Sequence, residues 1–165
     1  MGFYTGRTGA LYLDSPFTSA PNPTTDTTKA LKLRDWSLET SLELLETTTV
    51  DTAVKSYTPG AVSSSGSATV LFYRREGTTA TEPGVQFDSF LNKLMKTSND
   101  GVTTSDRVGL ILRAGTAAGT SPDVKDDIAF NAYITNASLQ VSTGELTSVA
   151  IQFTVDGPFI ELIDA

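Results

Sequence analysis

The chain has 165 residues, of which 39% are hydrophobic and 19% are charged, and its formal net charge is −7. It contains neither cysteine nor histidine, which excludes disulfides, thiolate metal sites and the most common general base. Because binding to nucleic acid depends on neutralising phosphates, the acidic balance also argues against a protein that grips DNA or RNA.

The length predicts one domain over residues 1–165. Its first element is a short strand over residues 10–14. Residues 15–28 follow, and Pro16, Pro21 and Pro23 exclude a central strand there. This segment is predicted to be a long loop, and loops of that length in compact domains are usually functional or disordered.

Residues 31–49 are predicted to form a long strand, because Trp36, Leu38, Leu42 and Leu44 recur at every second position. Leu33 has the opposite parity, which predicts a β-bulge near residues 34–35. A helix is the competing interpretation, since several leucines also have helical spacing. The β-branched residues that follow favour the strand.

The middle of the chain predicts two further strands and one helix. Residues 67–74 and 106–114 have strand patterns, whereas the apolar residues between positions 87 and 95 have the spacing of an amphipathic helix over residues 87–97. Residues 115–126 contain Gly, Ser and Pro and are predicted to be a second long loop. The whole pattern predicts a mainly β fold: an antiparallel β-sandwich or barrel with one flanking α-helix.

The chain closes with a predicted hairpin, in which residues 129–141 and 145–155 alternate around a short glycine turn at residues 142–144. On the second strand, Phe153 and its alternate neighbours are apolar. Ser148, Gln152 and Thr154 lie on the other face, which carries no charge. A polar, uncharged strand face suits a surface pressed against another subunit.

Motifs with catalytic or ligand chemistry are weak. The spaced glycines of residues 115–120 lack the lysine of a phosphate loop, and the turn at Asn99-Asp100-Gly101 lacks the glutamate of a calcium loop. Without histidine, the serines have no usual base. We therefore expect no enzymatic activity, no metal site and no cofactor.

The ordered set of segments resembles the tail tube (major tail) proteins of tailed bacteriophages. The resemblance is carried by Asp35-Trp36-Ser37-Leu38, Tyr57-Thr58-Pro59-Gly60 as a Pro-Gly loop, Ser65-Gly66-Ser67, the single helix, and the hairpin ending in Asp156-Gly157-Pro158. Together with the glycine-rich lead, these segments cover nearly the whole chain.

The resemblance implies a virion structural protein, assembled in the host cytoplasm, whose hexameric rings stack into a tube that conducts double-stranded DNA without binding it specifically. It further implies contacts with tape measure, tail terminator and baseplate or tip proteins, and it leaves a sheath open as another partner. No membrane role is expected, since Met1-Gly2-Phe3-Tyr4 opens no signal peptide.

The resemblance and the strand alternation together suggest roles for individual residues. The expected acidic residues facing the lumen are Glu39, Glu43, Glu46 and Asp127. The expected contacts between subunits or rings are Phe3, Tyr4, Pro16, Phe17, Pro21, Pro23, Ser148, Gln152, Thr154 and Phe159. The expected core residues are Trp36, Leu38, Leu42, Leu44, Phe90, Leu94 and Phe153.

Two other functions remain open at this point. A type VI secretion tube protein resembles phage tubes but conveys effectors. A carbohydrate-binding or adhesin β-sandwich is also rich in Thr, Ser and Gly, but it would need an exposed aromatic platform, and the single tryptophan is expected on an apolar face.

Overall fold

The structure is a computed structural model that describes residues 10–19, 29–30, 33–51, 53–71, 92–117 and 124–162. Within them, seven strands form one sheet: β1 (Ala10–Asp14), β2 (Lys29–Ala30), β3 (Leu33–Glu46), β4 (Tyr57–Leu71), β5 (Val108–Ala117), β6 (Val124–Gln140) and β7 (Ser148–Val155). Their order is β2-β1-β5-β6-β7-β4-β3, and all neighbouring pairs are antiparallel. The sheet curls so that β1 and β3 come into contact. The predicted mainly β, antiparallel fold is confirmed.

The core lies on one face of this curved sheet. Leu110, Phe130 and Ile151, from β5, β6 and β7, have no exposed surface, and Phe153 is also buried. The rings of Phe130 and Phe153 lie 5.5 Å apart. Trp36 and Leu38 of β3 are partly buried and pack against this cluster. Alternation along each strand therefore directs one set of apolar side chains into a shared core.

The β3 and β4 strands form a hairpin that extends beyond the core. β7 pairs with β4 only from Ser65 to Leu71, so the first half of β4 has β3 as its only neighbour in the sheet. Leu42 and Leu44 lie in this extension and are 50% and 56% exposed. The prediction that they are core residues is wrong for the single subunit, because no other strand among the described residues covers them.

Two irregularities shape this hairpin. The predicted bulge is present as a register shift between Leu33 and Asp35. A second shift lies between Leu42 and Leu44, where β4 contains one extra residue. The Pro-Gly segment predicted as a loop is part of β4, with Pro59 opposite Leu44. A proline is tolerated here because it lies next to a bulge in a strand with one neighbour.

The predicted loops and helix differ in extent from the structure. Residues 115–117 pair with residues 124–126, so the second loop is shorter than predicted. Asp106 belongs to a single turn of 3-10 helix, Thr104–Asp106, that precedes β5. Residues 92–94 are helical and Leu94 is half-buried, whereas Phe90 lies outside the described residues. No helix in the described ranges is long and apolar enough to cross a membrane.

The closing hairpin is confirmed, with β7 beginning three residues later than predicted. After β7 the chain turns at Gly157, whose φ is 85°. Arg107 holds this turn, since its Nε lies 2.8 Å from Asp156 Oδ2. Phe159 then packs edge-on against Phe130, with ring centres 5.7 Å apart. Phe159 thus packs within its own subunit while remaining half-buried, and its predicted contact with a neighbour stays a prediction.

Candidate functional site

The sheet face opposite the core is polar over four adjacent strands. We call it the polar face. Its members have small or uncharged side chains, apart from carboxylates on β3, and alternate with the core residues: Ser37, Glu39 and Ser41 on β3; Ser63, Ser65, Ser67 and Thr69 on β4; Gln152 and Thr154 on β7; Asn136, Ser138 and Gln140 on β6. A shallow groove runs across it between β3, β4 and β7.

Two cross-strand pairs of hydroxyl groups connect β3 and β4 on the polar face. Ser37 Oγ lies 3.0 Å from Ser67 Oγ, and Ser41 Oγ lies 3.0 Å from Ser63 Oγ. Such pairs between directly opposed residues stabilise antiparallel strands. These two pairs link β3 to β4 at the surface of the polar face.

The charges on the polar face are all negative. Asp35, Glu39 and Glu43 recur on the same side of β3, and all three are exposed. No lysine or arginine occupies the matching positions of β4, β7 or the second half of β6. A surface of this kind repels polyanions most strongly at low ionic strength, where screening is weak.

Glu46 does not belong to the polar face. Strand alternation places it on the opposite side of β3 from Glu39 and Glu43, and its carboxylate lies 3.6 Å from Lys55 Nζ. Both side chains of this ion pair are exposed. The expectation that Glu46 shares one acidic surface with Glu39 and Glu43 is therefore corrected.

Asp127 is not available to a lumen either. It is 5% exposed and accepts two hydrogen bonds from Arg113, from Nε at 2.7 Å and from Nη2 at 2.8 Å. Arg113 Nη1 also donates to the Tyr12 hydroxyl at 2.6 Å. The hydrogen bonds to Asp127 raise the pKa of Arg113 above its ordinary value. The sequence prediction failed because the partner arginine is supplied by the register of β5 against β6.

The predicted contact residues near the N-terminus lie in different settings. Pro16 is exposed, whereas Phe17 is half-buried. The Phe17 backbone N–H donates to Asn131 Oδ1 at 2.7 Å, and Asn131 Nδ2 donates to the Phe17 carbonyl at 2.9 Å. Asn131 is buried and was missed in the sequence, where an asparagine within a strand pattern gives no signal. Phe3, Tyr4, Pro21 and Pro23 lie outside the described residues.

Ser148, Gln152 and Thr154, predicted to contact another subunit, lie on the polar face. β7 is an inner strand between β6 and β4, and Gln152 lines the same groove as Glu39. The prediction that Glu39 faces a lumen and the prediction that these three residues contact another subunit therefore concern the same surface. If Glu39 faces a lumen, Gln152 and Thr154 face it as well and do not contact the adjacent subunit.

Three solved structures, of two tails and of one whole virion, contain a chain with a similar fold. The SPP1 tail tube matches with a TM-score of 0.58 and 13% identity, covering 98% of this chain and 80% of that one. A tail of an empty gene transfer agent particle, refined with C6 symmetry, matches with a TM-score of 0.56, 11% identity and 98% coverage of both chains. The virion of a native gene transfer agent particle gives 0.58, 11% and 98% of both chains.

Comparison of sequences alone finds no match. No protein-family model matches the chain, and no curated protein matches it. The similarity is thus one of fold, over nearly the full length of both chains in the gene transfer agent comparisons. This chain has the fold of tail tube subunits.

Proposed function

We propose that this chain is a structural, non-enzymatic subunit of a tail tube, in which six copies close a ring and rings stack along the tube axis. The observation that carries the proposal is the match of nearly the whole chain to the SPP1 tail tube and to a gene transfer agent tail with C6 symmetry. The same proposal places the protein in the tail of a virion or a virion-like particle.

The exposed edge of β3 supports closure into a ring. β3 has 14 residues and forms one edge of the sheet, while the opposite edge, β2, has only two. A long edge strand with unpaired backbone groups invites pairing with another chain. In a closed ring, each β3 edge would be covered by the next subunit, and no free edge would remain.

The composition of the polar face supports its placement along the central channel of the ring. Curvature places the apolar core on one side of the sheet and the polar face on the other. In a ring, the polar face can line the central channel while the core stays within each wall. Asp35, Glu39 and Glu43 would then repeat around the channel as negative collars. DNA phosphates are repelled by such a wall, so DNA would pass without adhering.

A carbohydrate-binding platform has less support. Such a site uses a platform of exposed aromatic side chains, whereas Trp36, the single tryptophan, packs against the core and Tyr57 is the one exposed aromatic residue of the described strands. Two pairs of hydroxyl groups on the polar face, Ser37 with Ser67 and Ser41 with Ser63, are also bonded to each other across strands. Nothing in the described strands therefore favours sugar binding over assembly.

Electron microscopy of the purified protein tests the proposal directly. Negative staining over a range of concentrations should show rings with six-fold symmetry or tubes with a stain-filled channel. Sedimentation should show a mass that grows with concentration. A monodisperse monomer at every concentration, without rings or tubes, would refute the proposed function.

A further inference from the structure

The sequence contains two Asp-Gly steps, Asp100-Gly101 and Asp156-Gly157. In both, the glycine has a positive φ, which is 68° at Gly101 and 85° at Gly157. An aspartyl side chain can cyclise onto the backbone nitrogen of a following glycine, because glycine has no side chain to shield that nitrogen. The two steps share this local chemistry, so their surroundings in the fold decide which of them can react.

The first step lies in an open turn. Asp100, Gly101 and the two residues before them are all exposed. Among the described residues, the contact of the Asp100 carboxylate is with the Ser98 hydroxyl, whose Oγ donates to Oδ2 at 3.1 Å. A Cβ added at Gly101 would meet nothing within 4 Å. The Asp100 side chain therefore has room to rotate onto the Gly101 nitrogen.

The second step is held by its neighbours. Arg107 Nε lies 2.8 Å from Asp156 Oδ2, and Arg107 Nη2 donates to the Asp156 carbonyl at 3.2 Å. The Asp156 backbone N–H donates to the Asn131 carbonyl at 2.8 Å. The Asp156 side chain is 45% exposed, so burial is not what distinguishes it from Asp100. Its carboxylate would have to leave Arg107 before it could reach the Gly157 nitrogen.

We propose that Asp100-Gly101 is a site of spontaneous isoaspartate formation and that Arg107 protects Asp156-Gly157 from the same reaction. The Gly101 nitrogen attacks Asp100 Cγ and forms a C–N bond, while the carboxyl hydroxyl leaves as water together with the proton of the nitrogen. Water then opens the resulting succinimide at either ring carbonyl and yields aspartate or isoaspartate. No oxidant or enzyme is needed, and the chemistry is independent of whether the chain assembles.

The fold can accommodate this product. Isoaspartate adds one methylene group to the backbone between Asp100 and Gly101, and neither residue belongs to a described strand. The turn is bracketed by two contacts of the Asp106 carboxylate, one with Lys96 and one with the Thr103 N–H, the latter at 2.9 Å. We therefore expect modified subunits to remain folded, so that isoaspartate accumulates with the age of the protein.

Storage of the wild-type protein in heavy-oxygen water tests the proposal. Native protein is kept at neutral pH for several weeks, digested, and sequenced by a fragmentation method that separates isoaspartate from aspartate. Isoaspartate carrying one heavy oxygen atom should appear at position 100 and stay undetected at position 156. Deamidation of Asn99 would be recognised because it also replaces nitrogen by oxygen. No isoaspartate at position 100, or equal amounts at both positions, would overturn the proposal.

Synthetic peptides covering residues 97–103 and 153–159 are the matched controls. Both should form isoaspartate, because neither retains the contacts of the folded chain. If the second peptide also fails to convert, its local sequence is what protects it, and the role assigned to Arg107 is wrong.

Two variants of the full chain separate the two sites. Asp100→Glu should abolish the product at position 100, because the longer side chain closes a larger ring much more slowly. Arg107→Gln should allow isoaspartate to appear at position 156 and leave the amount at position 100 unchanged. Thermal unfolding before storage shows whether each variant is folded. A folded Arg107→Gln protein with no product at position 156 would refute the protection.

Discussion

Arg113 and Asp127 face each other across strands β5 and β6 and form two hydrogen bonds of 2.7 and 2.8 Å while both residues are buried. Removing one partner leaves an uncompensated buried charge. We therefore expect Arg113→Ala or Asp127→Asn to lower the free energy of unfolding by about 3 to 5 kcal/mol. Urea denaturation of unassembled subunits measures this loss.

The exposed pair Lys55 and Glu46 is the control for this prediction. Its atoms lie 3.6 Å apart, and both side chains are well exposed. Lys55→Ala should change the free energy of unfolding by less than about 1 kcal/mol. A loss of similar size in the Arg113 and Lys55 variants would contradict the role assigned to burial.

Gly66 lies where β3, β4 and the Phe153 ring meet. A Cβ at this position would contact the Ser37 carbonyl oxygen and approach Phe153 Cζ to 2.6 Å. Because the backbone oxygen cannot move aside without disturbing β3, Gly66→Ala should cost at least about 2 kcal/mol. Ser65→Ala, at the exposed neighbouring position, should stay within about 0.5 kcal/mol. Thermal unfolding of both variants measures the difference. Equal melting temperatures would refute the close contact of position 66 with Ser37 and Phe153.

Reversing the charge of the polar face should change how a tube interacts with DNA. Glu39→Lys with Glu43→Lys should leave assembly largely intact, since both side chains are exposed and unpaired in the described part of the subunit. The variant tube should retain DNA at low ionic strength and release it as salt rises. Filter retention of labelled DNA against salt concentration is the measurement.

A single substitution elsewhere controls for net charge. Asp100→Lys changes the charge by the same amount as Glu39→Lys, at an exposed turn that is not part of the polar face. DNA retention should increase for Glu39→Lys and remain at the wild-type level for Asp100→Lys. Equal retention by both variants would show that total charge, and not a charged channel, governs the effect.

Asp106 makes the stability of the turn before β5 dependent on pH. Its carboxylate accepts hydrogen bonds from Lys96 and from the Thr103 backbone N–H, the latter at 2.9 Å. The Lys96 contact is the larger cause that lowers the pKa of Asp106 below its ordinary value of 3.8, followed by the Thr103 bond. A carboxyl group with a lowered folded pKa stabilises the fold above its unfolded pKa and loses that contribution as pH falls through its folded pKa.

Comparison of wild type with Asp106→Asn tests this dependence. The difference in melting temperature should be largest at neutral pH and should shrink as the pH falls below 3.8. Asp100→Asn, at an exposed turn nearby, provides the control. A difference that stays constant from neutral to acidic pH would show that the ionised carboxylate of Asp106 is not responsible.

The sequence by itself determined most of the strands of this protein. Alternation at period two marks β1, the long β3 and the closing hairpin, because in each of them one face meets the core and the other does not. The bulge after Leu33 also follows from a change of parity within a single segment. Alternation and changes of parity are local properties of a segment, so they can be recognised without knowing what the segment packs against.

Tertiary structure alone decided which of those faces are covered and which charges are free. Leu42 and Leu44 have the same pattern as Leu38, yet they lie beyond the reach of β7 and remain exposed. The sequence alone indicates that Asp127 is a solvated carboxylate. In the structure, the register of β6 against β5 places it opposite Arg113. Burial and pairing depend on which strand ends lie side by side and how far each extends, and that information is distributed over residues distant in sequence.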